Sequence, residues 1–115
     1  MASTTFTGPV TSLNGFIGQI FLDNQALSGA GAVNLTDGLT SLTTTGASQA
    51  LTLANGTVGQ CKTIIHAVDG GSAVLTPTTA IGFTTVTFTN VGDSVSLVYT
   101  SAGWAVAGSK GVTIA

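Results

Sequence analysis

Cys61 and His66 are the residues of this chain whose side chains could act as a nucleophile and a general base. A thiol attacks as its thiolate, and a histidine within hydrogen-bond distance can remove its proton. The two residues are five positions apart, so on one regular β-strand they lie on opposite faces of the sheet. The spacing therefore opposes a catalytic pair, and we interpret His66 as a buried structural histidine beside a structural thiol.

Charged side chains are scarce in the 115 residues, which contain two Lys, four Asp and neither Arg nor Glu. The charged fraction is 5%, against about 25% in an ordinary soluble domain. Acid–base catalysis needs titratable groups and phosphate binding needs cations, so the composition argues against an enzyme and against direct nucleic-acid binding. The chain instead has 21 Thr and ten Ser, and a hydroxyl-rich surface with few ions loses its water at low cost. This composition favours a protein that packs against other proteins.

Metal, cofactor and ligand sites have weak signals. The Asp residues are spread along the chain without a calcium-loop pattern, and Asp69 and Asp93 adjoin glycines, which is typical of turns. A calcium ion held between subunits stays an alternative. Trp104 is expected to pack in a core or interface with its N–H on a backbone carbonyl, and carbohydrate binding is the alternative. We expect no cofactor, no catalytic residue and no metal site.

Disulfide and membrane signals are also weak. The single Cys61 excludes an intramolecular disulfide. The apolar runs are shorter than the ~18 residues that a membrane span needs, and the N-terminus lacks the pattern of a secretory signal. We therefore expect no membrane partner.

Short β-branched segments separated by turn residues predict strands from residue 49 onward. Turn signals occur at Asn55-Gly56, Asp69-Gly70-Gly71, Gly92-Asp93 and Ser101-Ala102-Gly103, and we interpret the first two as hairpin turns. Pro77 places its strand at an edge of a sheet or ends it. The predicted strands cover residues 49–54, 61–68, 72–78, 84–91, 94–100 and the segment from Trp104 onward. This spacing predicts an all-β fold with a single antiparallel β-sandwich or barrel-like domain over residues 49–115.

Residues 1–48 have a different pattern, with scattered apolar side chains among Gly, Pro and Asn. Such a segment cannot build a tight core, yet it carries three Phe residues. An extended N-terminal arm lying on a neighbouring subunit satisfies both facts, and edge strands of the same domain are the alternative. The candidate contact residues of this arm are Phe6, Pro9, Val10, Leu13, Phe16, Ile17, Ile20 and Phe21.

Two stretches of the sequence resemble virion proteins of tailed phages. Residues 6–10 (FTGPV) with residues 14–16 (NGF) are similar to the opening of many small phage structural proteins. The second stretch resembles a β domain of head-decoration and tail-fibre proteins, especially of marine and cyanobacterial phages. It consists of residues 51–64 (LTLANGTVGQCKTI), followed by Val74-Leu75-Thr76-Pro77, the 84–88 strand, Gly92-Asp93-Ser94-Val95 and the Trp104 strand. The resemblance covers about residues 47–115.

This resemblance implies a structural virion protein that binds the outer surface of the assembled capsid and stabilises the junctions between capsomers. The implied partners are the major capsid protein and further copies of the chain, as a homotrimer. The implied location is the capsid exterior, after synthesis in the host cytoplasm. A tail-fibre or receptor-binding component is the alternative within the same resemblance.

Overall fold

The protein is built from ten short β-strands, and the computed structural model describes residues 7–13 and 21–115. The strands are β1 (Asn24–Ser28), β2 (Gly31–Val33), β3 (Leu39–Thr43), β4 (Gln49–Leu53), β5 (Cys61–Val68), β6 (Ala73–Pro77), β7 (Val86–Phe88), β8 (Ser94–Thr100), β9 (Gly103–Lys110) and β10 (Thr113–Ile114). Within these described ranges there is no helix. The all-β class expected from Thr, Val and Ile enrichment is confirmed.

The strands form two five-stranded sheets, with the orders β1-β3-β5-β8-β9 in the first sheet and β10-β7-β6-β4-β2 in the second. The prediction of antiparallel pairing is wrong for half of the fold, because β1, β3 and β5 are mutually parallel, as are β2, β4 and β6. Strands β7 to β10 pair antiparallel. Each sheet is therefore mixed, and the two sheets do not close into a barrel.

The parallel half arises because the chain changes sheet after every strand. It passes from β1 to β2, from β3 to β4 and from β5 to β6, and each pass stacks on the one before it in register. Asn24 pairs with Leu39 and Leu39 with Thr63 in the first sheet. Gly31 pairs with Leu51 and Leu51 with Leu75 in the second. The result is a stack of three passes that leaves β1 and β2 as the edges at one end.

One core fills the space between the sheets. Every second side chain of a strand points inward, and residues paired across neighbouring strands point to the same side of their sheet. Removing these side chains from water stabilises the fold by roughly 25 cal/mol per Å² of apolar surface. The largest buried ring is that of Trp104, whose side chain is 0% exposed. The core residues are Val33, Leu42, Leu51, Leu53, Ile64, Ala73, Leu75, Val86, Phe88, Val95, Leu97 and Trp104.

The predicted hairpin turns at Asn55-Gly56 and Asp69-Gly70-Gly71 are wrong. Both segments lie in links that carry the chain from one sheet to the other, and the turn of the first link is at Val58-Gly59. Gly, Asn and Asp supply the same backbone freedom to a corner between sheets as to a hairpin, so the turn residues do not distinguish the two. The turn predicted at Ser101-Ala102-Gly103 is confirmed, and it joins β8 and β9 as a hairpin, since Thr100 pairs with Gly103.

Two further expectations concern single strands. The apolar run of residues 61–68 predicts a strand buried on both faces if it is central in a sheet. The strand β5 is central, yet Cys61 and Ile65 are exposed on its outer side, so the prediction of burial on both faces is wrong. The strand β6 ends at Pro77 and lies between β4 and β7, so Pro77 ends its strand and does not mark an edge.

Residues 24–48 contribute three strands to the sheets. They belong to the segment for which the sequence analysis left two alternatives open, an extended arm and edge strands. Strands β1 and β2 are edges, whereas β3 lies between β1 and β5. Both sheets therefore contain strands from each side of residue 48.

Candidate functional site

His66 and Cys61 lie on opposite faces of β5, as their spacing predicts. The Cys61 side chain is exposed, whereas His66 is completely buried. The Nε2 atom of His66 lies 2.9 Å from Thr44 Oγ1, and its ring meets Phe88 edge-on at a centroid distance of 6.4 Å. The Nδ1 atom of His66 is buried without a hydrogen-bond partner among the described residues. The thiol and the imidazole cannot form a nucleophile–base pair, and His66 serves the core.

Asp93 is a buried turn residue beside His66. Its Oδ2 atom accepts hydrogen bonds from the backbone N–H of Thr89 at 2.9 Å and of Asn90 at 3.0 Å, and the side chain is 5% exposed. Burial on its own raises the pKa of this carboxyl, but the N–H donors of Thr89 and Asn90, the Thr89 hydroxyl and His66 lower it, and the pKa lies below its usual value. The carboxylate therefore ties its own turn together, as predicted for this residue.

The side chain of Lys62 points between the sheets and is 1% exposed. Its Nζ atom donates hydrogen bonds to the carbonyl oxygen of Asp37 at 2.6 Å and to Asn34 Oδ1 at 3.3 Å. Burial lowers the pKa of Lys62, while the charge of Asp37 acts in the opposite direction. The sequence signal was the strand period, because Lys62, Ile64 and His66 alternate on one face of β5. Lys62 anchors the 34–37 loop.

Two expectations from the sequence concern metal binding and membrane-spanning segments. Among residues 7–13 and 21–115 no group of three or more His, Cys, Asp or Glu side chains is close enough to hold a metal ion. The same residues include no helix long and apolar enough to cross a membrane.

Trp104 packs in the core, as one of the two predictions for it stated. Its Nε1 atom donates a hydrogen bond to the carbonyl oxygen of Ala54 at 2.9 Å, and its ring meets Tyr99 edge-on at 5.1 Å. Because the side chain is fully buried, it offers no exposed ring on which a sugar could stack.

The predicted contact residues of the N-terminal segment are described in part. Pro9, Val10, Leu13 and Phe21 are exposed, with 50% of Val10, 95% of Leu13 and 84% of Phe21 accessible to solvent. Large apolar side chains left this exposed are typical of surfaces that meet another protein. Phe6, Phe16, Ile17 and Ile20 lie outside the described residues.

The outer face of the first sheet is a broad surface of small and hydroxyl side chains. Ser41 Oγ donates to Asn24 Oδ1 at 2.8 Å, and the hydroxyls of Thr63 and Ser96 are 3.3 Å apart, so polar groups on this face partner one another. Two rows cross all five strands, Asn24-Leu39-Thr63-Ser96-Gly108 and Ala26-Ser41-Ile65-Ser94-Lys110. Lys110, on edge strand β9, is the one charged residue in the two rows.

The two rows on the outer face of the second sheet contain no charged residue. Across the register, these rows are Ala32-Thr52-Thr76 and Ala50-Val74-Thr87-Thr113. A partner protein that covered either face would displace water mainly from hydroxyl and methyl groups, and Lys110 at the edge of the first face is the one ion in these rows. The desolvation cost is therefore low.

An apolar groove lies where the edges of the two sheets approach each other. Its volume is about 380 Å³, and Ile81 and Ile114 at its rim are 38% and 39% exposed. Part of the adjacent edge of β9 is closed by hydrogen bonds of 2.9 Å from Trp104 N to Thr79 O and from Ile81 N to Trp104 O. The lining residues are Ile81, Gly82, Phe83, Ala105, Val106 and Ile114.

The sequence was also compared with known proteins. No protein-family model matches the chain, and no curated protein sequence matches it.

Proposed function

We propose that the chain is a structural protein of a virus particle, a decoration protein that binds the outer surface of an assembled phage capsid. The observation that carries this proposal is the pair of outer sheet faces, whose polar groups are hydroxyls and amides, with Lys110 as the one charged residue in the rows described. No catalytic role is proposed, since the buried histidine, aspartate and lysine each hold local structure. The phage-like motifs at residues 6–10 and 51–64 support the same class of protein.

The physical advantage of such a surface is its insensitivity to salt. Ion pairs at a protein surface are screened beyond a Debye length of about 8 Å at physiological ionic strength, whereas apolar contact is not. A protein that binds the assembled lattice and not its dispersed subunits stabilises the lattice by mass action. Many copies of a modest apolar contact at the capsomer junctions would oppose the outward pressure of packaged DNA.

In this proposal the two sheets are the sandwich-like body, and the N-terminal segment is an extended arm. The partners are the major capsid protein and further copies of the chain in a homotrimer on the capsid exterior. The arm supplies contact residues because Val10, Leu13 and Phe21 are exposed apolar side chains. Deletion of residues 1–20 is expected to abolish binding to purified capsids, and unchanged binding would contradict the role of the arm.

The test of the proposal is the copy number of the chain in purified virus particles, measured by quantitative mass spectrometry against the major capsid protein. A ratio near one, or another large fraction, is the expected result for a protein that covers the head. A handful of copies per particle would overturn decoration, and absence from particles would overturn a virion role altogether.

A tail-fibre component is the second candidate, and the stacked passes favour it. Repeated passes that each contact their neighbours are the way in which elongated repeat proteins are built. Here the pass formed by β1 and β2 ends the stack with both edges uncovered by another strand of the described residues. A low copy number, together with location at the tail in labelled particles, is the result that would select this candidate.

A further inference from the structure

We propose that the N-terminal segment of one copy docks into the apolar groove of a second copy, with Val10 and Leu13 filling the space beside Ile81 and Phe83. The inference deepens the proposed function in one respect, since it names the partner of the arm, and it can be tested on the purified chain alone. Its parts are an exposed apolar segment and an open apolar groove on the same molecule.

The arm matches the groove in charge. Residues 1–22 contain no Asp, Glu, Lys, Arg or His, and the first charged residue of the chain is Asp23. The groove is lined by five apolar side chains and Gly82. Docking therefore buries no ion on either side and removes Val10 and Leu13, which are 50% and 95% exposed, from water.

The groove also offers backbone hydrogen bonds to an extended chain. Trp104 and Val106 pair with Tyr99 and Leu97 in the antiparallel ladder, and backbone groups two residues apart point to the same side. Trp104 bonds residues 79–81 on that side, and β9 is otherwise an edge strand, unpaired on this side with any other strand of the described residues. An arm passing along β9 would continue the ladder at this position, as in other cases of strand addition.

The exposure of Val10 and Leu13 in their own molecule favours docking on a second copy. The arm enters the fold immediately before β1, at one end of the first sheet, while the groove lies at β9, the other end. Four strand spacings of about 4.8 Å separate the two ends. In their own molecule Val10 and Leu13 are exposed, so they do not occupy the groove there. Each copy then gives an arm at one end and receives one at the other.

A head-to-tail contact of this kind either closes into a ring or continues as a filament. Closure after three copies would give the homotrimer of the proposed function, with every arm and every groove occupied. The 11 residue steps from Val10 to Phe21 span at most ~36 Å when extended. This length limits the distance between Phe21 of one copy and the groove of the next.

The first test is the mass of the purified chain in solution by light scattering after size exclusion. The full chain is expected to form an oligomer, and the Ile81→Asp variant is expected to associate at least ~10-fold more weakly because it puts an unpaired charge into the groove. Val91→Asp is the matched control, since Val91 is 63% exposed and outside the groove. A monomeric full chain, or an oligomer that Ile81→Asp leaves intact, would overturn the inference.

The second test is a cross-link that does not depend on how well the Asp variant folds. In a Cys61→Ser background, Leu13→Cys is placed on one chain and Ile81→Cys on another chain of different mass. Oxidation of the mixture is expected to give the mixed covalent dimer, while Leu13→Cys with Val91→Cys is expected to give little. A doubly substituted chain that forms its disulfide within one molecule would overturn docking between copies. If the cross-link forms but the chain is absent from virus particles, the proposed function fails and this inference stands.

Discussion

Individual buried polar residues are held by hydroxyls and backbone groups in this protein. Thr44 shows how much one hydroxyl does, since its Oγ1 atom lies 2.9 Å from His66 Nε2 and accepts a hydrogen bond from the N–H of Gly70 at 2.8 Å. In a core with few ions, such a hydroxyl joins elements that are distant in sequence. Loss of one buried partner costs about 1–3 kcal/mol, because the remaining group keeps its desolvation penalty.

Thr44→Val is therefore expected to lower the free energy of unfolding by about 2 kcal/mol or more, since both His66 Nε2 and the Gly70 N–H lose their partner. The measurement is urea unfolding followed by circular dichroism. Thr43→Val is the control, because Thr43 is half-buried on the outer side of β3, and its effect is expected to stay within about 0.5 kcal/mol. Equal effects of the two substitutions would contradict the role assigned to Thr44.

The carboxylate of Asp93 predicts a specific acid dependence of stability. Its pKa lies below its usual value in the folded state, so the ionised form stabilises the fold above the unfolded pKa of about 3.9. That contribution is lost as the pH falls through the folded pKa. Asp93→Asn is expected to be less stable than the natural chain at pH 7 by about 1 kcal/mol.

The difference between Asp93→Asn and the natural chain should shrink below about pH 4, where the natural carboxyl takes up a proton. Thermal unfolding between pH 7 and pH 2.5 measures this. Asp69→Asn is the control, because Asp69 lies in an exposed turn where its Oδ1 atom accepts one backbone hydrogen bond, from the N–H of Gly71. Its stability should change little at any of these pH values. A constant difference at all pH values would show that the charge of Asp93 does not stabilise the fold.

At the scale of elements, the links between sheets decide the topology. The link after β5 runs close to the link after β3, and Gly70 lies against the backbone carbonyl of Thr44. A Cβ atom at Gly70 would overlap that carbonyl oxygen, and backbone atoms on both sides cannot move independently of their strands. The close approach of the two links keeps the second and third passes stacked.

Gly70→Ala is expected to destabilise the protein by about 2 kcal/mol or more because of this overlap. Gly108→Ala is the matched control, since nothing lies within 4 Å of a Cβ atom built there, and a small gain is expected because alanine restricts the unfolded chain. Both free energies of unfolding come from urea titrations. Equal free energies of unfolding for the Gly70→Ala and Gly108→Ala variants would contradict the assigned role, because the two links could then move apart without destabilising the fold.

At the scale of the whole molecule, the exposed apolar side chains Val10 and Leu13 predict association between copies. Docking of an arm stabilises the folded state by a free energy that grows with the logarithm of the concentration of copies once that concentration exceeds the dissociation constant. The midpoint of thermal unfolding of the full chain is therefore expected to rise with protein concentration. A chain lacking residues 1–13 should unfold at a midpoint that does not depend on concentration, because it lacks the docking residues Val10 and Leu13. Differential scanning fluorimetry over a hundredfold concentration range measures this, and identical concentration dependences would exclude stabilisation by the arm.

The sequence by itself determined the all-β class, most strand positions after residue 49, the opposite faces of Cys61 and His66, and the buried ring of Trp104. These follow from β-propensity, from the period of two along a strand and from the burial of large apolar groups, all of which are local. Only the tertiary structure decided that half of the strand pairs are parallel, that Lys62 Nζ binds the 34–37 loop and that the edges of β9 and β10 frame a groove. A Gly-rich link turns equally well into a hairpin or across to the other sheet, and the choice depends on contacts such as Gly70 against Thr44 between residues far apart in the chain.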